Sequence, residues 1–168
     1  SDAGLAQGYN SYYGVALELT NDGTVRKSSQ SGDASLWQTT VNNEGLLEIV
    51  VGSLSFRRGF NNGGILDLAI GTSITWGGSP CHSTGTIRGS GLLVGNVVSD
   101  GTVAPGNSSG LLTIQGNFTQ ESNGVFDVEI GGTLAGTNYD QLVVSGNVSL
   151  DGRATVQLID AYSPPARS

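Results

Sequence analysis

Three observations predict an all-β chain coiled as a parallel β-solenoid. Glycine supplies 27 of the 168 residues, without a collagen-like period of three. It sits among Asn, Ser and Thr between short β-branched runs, the composition of a chain that turns often. Residues 42–56 and 61–75 repeat one another, NNEGLLEIVVGSLSF against NNGGILDLAIGTSIT, with Glu48 and Asp67 at the same phase. A unit of about this length makes one coil of a β-helix. Two-residue Asn-Gly or Asp-Gly loops in hairpin context are nearly absent, so the strands are not joined as hairpins. A jelly roll also uses short strands and turns, but the self-similarity and the parity changes at Gly52, Gly71 and Gly116 favour coils with glycine corners.

Taken in order, residues 1–40 form an irregular amino-terminal segment or cap. Val15–Leu19 is a short strand, Asn21-Asp22-Gly23 a turn and Ser28–Ser35 a polar loop before Leu36-Trp37. Tyr9, Tyr12 and Tyr13 either cover an open end of the solenoid or remain from an upstream rung. Rungs follow over 41–162. Leu112, Ile114 and Phe118 face inward while Thr113, Gln115, Asn117 and Thr119 face outward. Phe126, Val128 and Ile130 alternate with Asp127 and Glu129, and Ala154, Val156 and Leu158 alternate with Thr155 and Gln157. Residues 163–168 are a tail, stopped by Ser163-Pro164-Pro165 because proline cannot donate to a ladder. No stretch has helical periodicity over ten residues or more, so the crossovers are turns.

Seven Lys and Arg against 14 Asp and Glu give a formal charge of −7. Such a surface repels phosphates and argues against a nucleic-acid partner. Arg26-Lys27 and Arg57-Arg58 read as solvated turns or strand edges. The single cysteine, Cys81, excludes an intrachain disulfide framework. No apolar run reaches the roughly 18 to 20 residues a spanning helix needs, so this segment is not expected to insert into a membrane. The chain contains no Met and opens on SDAGLAQG, which reads as a processed or excised piece of a longer protein.

The passage Gly101-Thr102-Val103-Ala104-Pro105-Gly106-Asn107-Ser108-Ser109-Gly110, continuing through Leu112, Ile114 and Gly116-Asn117-Phe118-Thr119-Gln120, resembles one found before the carboxy-terminal part of bacterial autotransporter passenger domains and related surface proteins. Val128–Gly132, Tyr139–Gly146 and Leu150–Val156 continue the resemblance in order, over about 82–162, with a looser match to autotransporter-associated strand repeats back to 42. Ser109 stands where proline is usual. The resemblance implies a single-stranded right-handed parallel β-helix, export, and a mechanical part that holds an effector or adhesive region away from the membrane and nucleates passenger folding. Val103–Asn107 also has its own physical reading, since Pro105 sets φ and Gly106 permits the bend that follows. Asp140 is expected to accept backbone N–H bonds at the turn into Leu142-Val143-Val144.

Candidate chemistry is thin. Asp127 and Glu129 project from one strand face with Cβ atoms about 7 Å apart, a separation seen in glycan hydrolysis, but no Arg or Lys lies nearby in sequence. Cys81 and His82 lie adjacent, so a strand would part them, and no second His exists to serve a nucleophile. They are expected in a loop, Gly77–His82, between coils. Zinc wants three or four converging ligands, and the nonapeptide of calcium β-rolls is absent. Sequons at Asn107, Asn117 and Asn147 are of the kind Asn-rich turns generate by chance. Trp37 and Trp76 read as core or end packing rather than sugar platforms.

No catalytic, cofactor-binding or metal-binding residue is therefore assigned and no cofactor is expected. The expected function is a structural or adhesive module of an exported, surface-displayed bacterial protein, a rigid scaffold rather than an enzyme. Its location is extracellular or at the cell surface, and its partners are a host or neighbouring-cell surface, a polysaccharide, or further copies joined end to end. The alternatives are a polysaccharide-binding or polysaccharide-degrading β-helix fragment and, third, a filament subunit.

Overall fold

A computed structural model describes residues 17–29, 32–36 and 39–164. The tyrosines proposed as a cap and Trp37 lie outside these residues. Among the described residues twenty short strands repeat in threes. Rung 1 holds β1 (Leu17–Asn21), β2 (Thr24–Lys27) and β3 (Asp33–Leu36), and rung 2 holds β4 (Thr39–Asn43), β5 (Leu46–Ile49) and β6 (Ser53–Phe56). Rung 3 holds β7 (Phe60–Asn62), β8 (Ile65–Leu68) and β9 (Ser73–Trp76), and rung 4 holds β10 (Cys81–Ser83), β11 (Thr86–Gly89) and β12 (Leu92–Val94). Rung 5 holds β13 (Val97–Ser99), β14 (Thr102–Pro105) and β15 (Leu111–Gln115), and rung 6 holds β16 (Phe118–Gln120), β17 (Val125–Ile130) and β18 (Gln141–Val144). β19 (Val148–Ser149) and β20 (Arg153–Leu158) begin a seventh.

Every third strand stacks on the last, giving three parallel sheets in the orders β1-β4-β7-β10-β13-β16-β19, β2-β5-β8-β11-β14-β17-β20 and β3-β6-β9-β12-β15-β18. The chain is a single-stranded right-handed parallel β-helix. The visible sequence repeat is the register of the first two sheets, and the third is one residue out of it, with Leu54 on Ile74. Leu46 pairs with Ile65 and Glu48 with Asp67. Rung length then varies while register holds, being short where Thr86 pairs with Thr102 and long where Leu111 pairs with Gln141, with the difference carried in the loops.

The coil begins earlier than the repeat suggests. Within the segment expected to be irregular, β1 pairs with β4, β2 with β5 and β3 with β6, so a whole rung precedes residue 41. Its strands lack a clean aliphatic pattern because Lys27 takes the inward position held by Ile49 one rung on. The ammonium is accommodated by donating to the Val51 carbonyl at 3.0 Å.

Period-2 alternation fills the tube. Leu47, Leu66, Ile87 and Val103 form one inward column of the second sheet, and Leu54, Ile74, Leu93 and Ile114 form another in the third; all are at most 3% exposed. Phe56 stacks on Phe60 at 5.5 Å, and Phe60 meets Trp76 at 5.8 Å. Each fully buried side chain contributes about 1.5–3 kcal/mol.

Two further columns set the corner between the first and second sheets. The first is polar and buried. Asn21 Nδ2 donates to Asn43 Oδ1 at 2.7 Å, Asn43 Nδ2 to Asn62 Oδ1 at 2.8 Å, and Asn62 Nδ2 to Ser83 Oγ at 3.1 Å. Beyond Ser83 the column passes to Ser99, whose Oγ has no partner among the described residues, and then to Gln120, which donates to the carbonyls of Gly124 and Arg153. The second column is Gly45, Gly64, Gly85 and Gly101, each lying against the backbone of the glycine before it so closely that a Cβ would collide with its carbonyl oxygen.

Candidate functional site

Outward side chains of the second sheet form the most charged face. Arg26 meets Glu48 at 3.1 Å and Arg88 meets Asp67 at 2.8 Å, so each of the adjacent carboxylates Glu48 and Asp67 is paired with an arginine on its far side. Asp67 is nearly buried because the loop after Pro105 folds back over it. Gly106 and Gly89 exchange backbone hydrogen bonds at 2.8 and 3.1 Å, and Asn107 Nδ2 reaches Asp67 Oδ1 at 3.2 Å. Gly106 carries φ 87, a left-handed conformation open to glycine at little cost. The Val-Ala-Pro-Gly-Asn passage is thus a clasp between rungs.

Asp140 secures the other end of that loop. One carboxylate oxygen accepts the Gly110 N–H and the other the Glu129 N–H, both at 2.8 Å. It does accept backbone N–H groups, but from residues distant in sequence rather than from its own turn, where spacing alone had pointed.

Asp127 and Glu129 both face outward on β17. Asp127 accepts from Thr155 Oγ1 at 2.5 Å and from Gln157 Nε2 at 3.4 Å, both on β20. Burial pushes the Glu129 carboxyl above its ordinary range, with Asp140, Asp127 and Asp160 adding to the shift. Asp140 is also raised, first by burial and against the two N–H bonds it accepts. An acid with a raised folded pKa stabilises the fold below its unfolded pKa and loses that contribution as pH climbs through the folded value. Their contribution to stability should therefore grow as pH falls through the raised folded values toward the ordinary carboxylate range. Glu129→Gln should melt higher than the parent at neutral pH and show a shallower pH slope, as thermal melts followed by circular dichroism will read; an unchanged slope would contradict this origin.

Cys81 and His82 do not sit in a loop. They occupy β10, where the strand turns Cys81 into the core and His82 to solvent. Cys81 fills the inward column between Phe60 and Val97, and burial pushes its thiol up to about 12. A thiol held protonated and fully buried is inert. A thiol reagent should leave it untouched in native buffer and label it at the rate of unfolding; immediate labelling would overturn this placement.

The sequon asparagines are engaged in the coil. Asn117 donates its backbone N–H to Asn96 Oδ1, and Asn147 donates to Asn117 Oδ1, each at 2.8 Å, which builds an outer ladder at the corner before the first sheet. Trp76 is 6% exposed with its indole against the backbone of Gly95, so it is core rather than a sugar platform. Among the described residues no group of three metal-type side chains converges, and no helix is long and apolar enough to cross a membrane. A small apolar recess of about 10 Å³, lined by residues that include Leu19, Val25, Val41, Leu47 and Leu54, opens between the first two rungs.

No family of proteins, no curated protein and no solved structure matches the chain. Fold and side-chain geometry therefore carry the functional reading.

Proposed function

We propose that the chain is a structural or adhesive module of an exported, surface-displayed bacterial protein, a stiff spacer that presents another element and performs no catalysis. One observation carries this: the sequence features that could have been chemical are spent on holding rung to rung. Asp67, Asn107, Asp140, Asn117 and Asn147 bridge strands or clasp loops, and Cys81 is sealed in the core. Such a coil resists bending because each rung is hydrogen-bonded to the next along three sheets. The resemblance of Gly101–Gln120 to autotransporter passengers supports export and display. Antibody raised against this chain should label intact cells of the source organism. Labelling confined to permeabilised cells would refute display.

A second reading, a polysaccharide-binding or polysaccharide-degrading β-helix, is favoured by the two carboxylates on one face of β17 and the raised Glu129. Release of reducing ends from acidic or neutral polysaccharides, lost in Asp127→Asn and Glu129→Gln, would establish it. On the scaffold reading neither the parent nor the variants release any.

A further inference from the structure

We propose that Asp151-Gly152, at the corner between β19 and β20, is a site of spontaneous backbone isomerisation, where the glycine nitrogen closes on the aspartate side chain and the chain reopens as isoaspartate.

An aspartate or asparagine precedes glycine at five places, Asp22-Gly23, Asn62-Gly63, Asp100-Gly101, Asn123-Gly124 and Asp151-Gly152. Glycine has no side chain to hinder approach to its nitrogen, so the sequence alone makes all five candidates. The coil divides them, because a nitrogen whose N–H is fastened elsewhere is held off the neighbouring side chain. The Gly63 N–H donates to the Asn43 carbonyl at 2.7 Å, that of Gly101 to the Ser83 carbonyl at 3.1 Å and that of Gly124 to the Glu121 carbonyl at 2.9 Å. The Gly23 N–H donates to Asn21 Oδ1 at 3.2 Å. Of the five, only the Gly152 N–H donates to the side chain just before it, to Asp151 Oδ1 at 2.7 Å. The carbon to be attacked is bonded to that oxygen, so the reacting atoms are held close to contact.

The preceding rung produces this exception. Gly45, Gly64, Gly85 and Gly101 give their N–H groups to the carbonyl of the polar column residue one rung earlier. Asp151 keeps the first half of that pattern and donates to the Gln120 carbonyl at 3.1 Å. The corner it stacks on, Gln120-Glu121-Ser122-Asn123-Gly124, is two residues longer than Ser99-Asp100-Gly101, and it sets the carbonyls of Gly124 and Glu121 against Gly152. Gly152 takes φ 70, the one positive φ in the corner glycine column, which turns its N–H out of the ladder and onto Asp151. The Asp151 position faces solvent on inner rungs as well, since Glu44 and Thr84 at the same corner are exposed, so the geometry holds whatever follows β20.

The reaction needs only water. The Gly152 nitrogen bonds to Asp151 Cγ as the Cγ–OH bond breaks, and the hydroxyl leaves with the amide proton as water, giving a five-membered succinimide. Water then opens the ring. Attack at Cγ restores aspartate; attack at the main-chain carbonyl carbon gives isoaspartate, in which the main chain runs through Cβ and Cγ and is one carbon longer at this corner.

Incubation of the full 168-residue chain in mildly acidic buffer, where the carboxyl acid that loses water is present, tests this. Peptide mapping locates isoaspartate, and methyl transfer from S-adenosylmethionine by an isoaspartyl methyltransferase counts it. In the folded chain isoaspartate should form at Asp151 at least about tenfold faster than at Asp22 or Asp100, whereas in urea the three should react at similar rates. Asp151→Glu sets the carboxyl one bond further from the nitrogen and should remove most of the methyl acceptance, with the circular dichroism unchanged. Equal rates at the three aspartates of the folded chain, or undiminished methyl acceptance in Asp151→Glu, would overturn the proposal.

Discussion

Gly64→Ala is expected to destabilise the coil by more than about 4 kcal/mol, enough to melt the rungs around it, while Gly23→Ala changes stability by no more than about 0.5 kcal/mol. Both glycines occupy the same corner column. At Gly64 a Cβ would collide with the carbonyl oxygen of Gly45, and at Gly85 with that of Gly64, whereas at Gly23 it meets nothing within 4 Å. The obstacle at Gly64 is backbone, which cannot rotate aside, so the rungs themselves would have to part and give up hydrogen bonds in the adjoining sheets. Urea unfolding of the two variants measures the difference. Similar midpoints would mean that this corner is not packed backbone on backbone.

Asn62→Leu is expected to cost about 3 kcal/mol, while Ser99→Ala, in the same buried column, is expected to be neutral or to stabilise by up to about 1 kcal/mol. Asn62 accepts from Asn43 at 2.8 Å and donates to Ser83 and to the Thr86 carbonyl at 3.1 Å. Removing its amide strands partners on two neighbouring rungs where no water reaches. The Ser99 hydroxyl, fully buried and without a partner, already bears the desolvation penalty, and its loss relieves it. Equal losses at the two positions, read from denaturant midpoints, would show that the ladder does not contribute in this way. The ladder also resists slippage, because a shift of one residue would turn every corner amide out of the tube.

Much of the architecture is legible from the amino acids because chemistry repeats where rungs have equal length. Between residues 42 and 68 each strand position recurs with a similar side chain, so the repeat read along the chain equals the pairing in the first two sheets, while in the third sheet the pairing runs one residue further, Leu54 on Ile74 rather than on Ser73. The first rung is hard to read along the chain for the opposite reason: Lys27 stands in the column that Ile49 fills one rung on, and the sequence between β2 and β3 is polar. β10 does not show in the sequence because three residues behind Pro80 are too few for alternation to be visible. The corner ladder changes type from Asn43 and Asn62 to Ser83, Ser99 and Gln120, which conceals a single structural column behind three kinds of side chain.

Composition, turn chemistry and the self-similar segment were sufficient to determine an all-β coil with aliphatic columns inside and polar residues outside, since period-2 alternation and glycine corners are local properties of the chain. Which residues clasp one another was decided only by the tertiary structure. Asn107 holds Asp67 from 40 positions away and Asp140 holds Gly110 from 30. Loops of unequal length lie between such partners, so only the stacking of whole rungs brings them within hydrogen-bond reach.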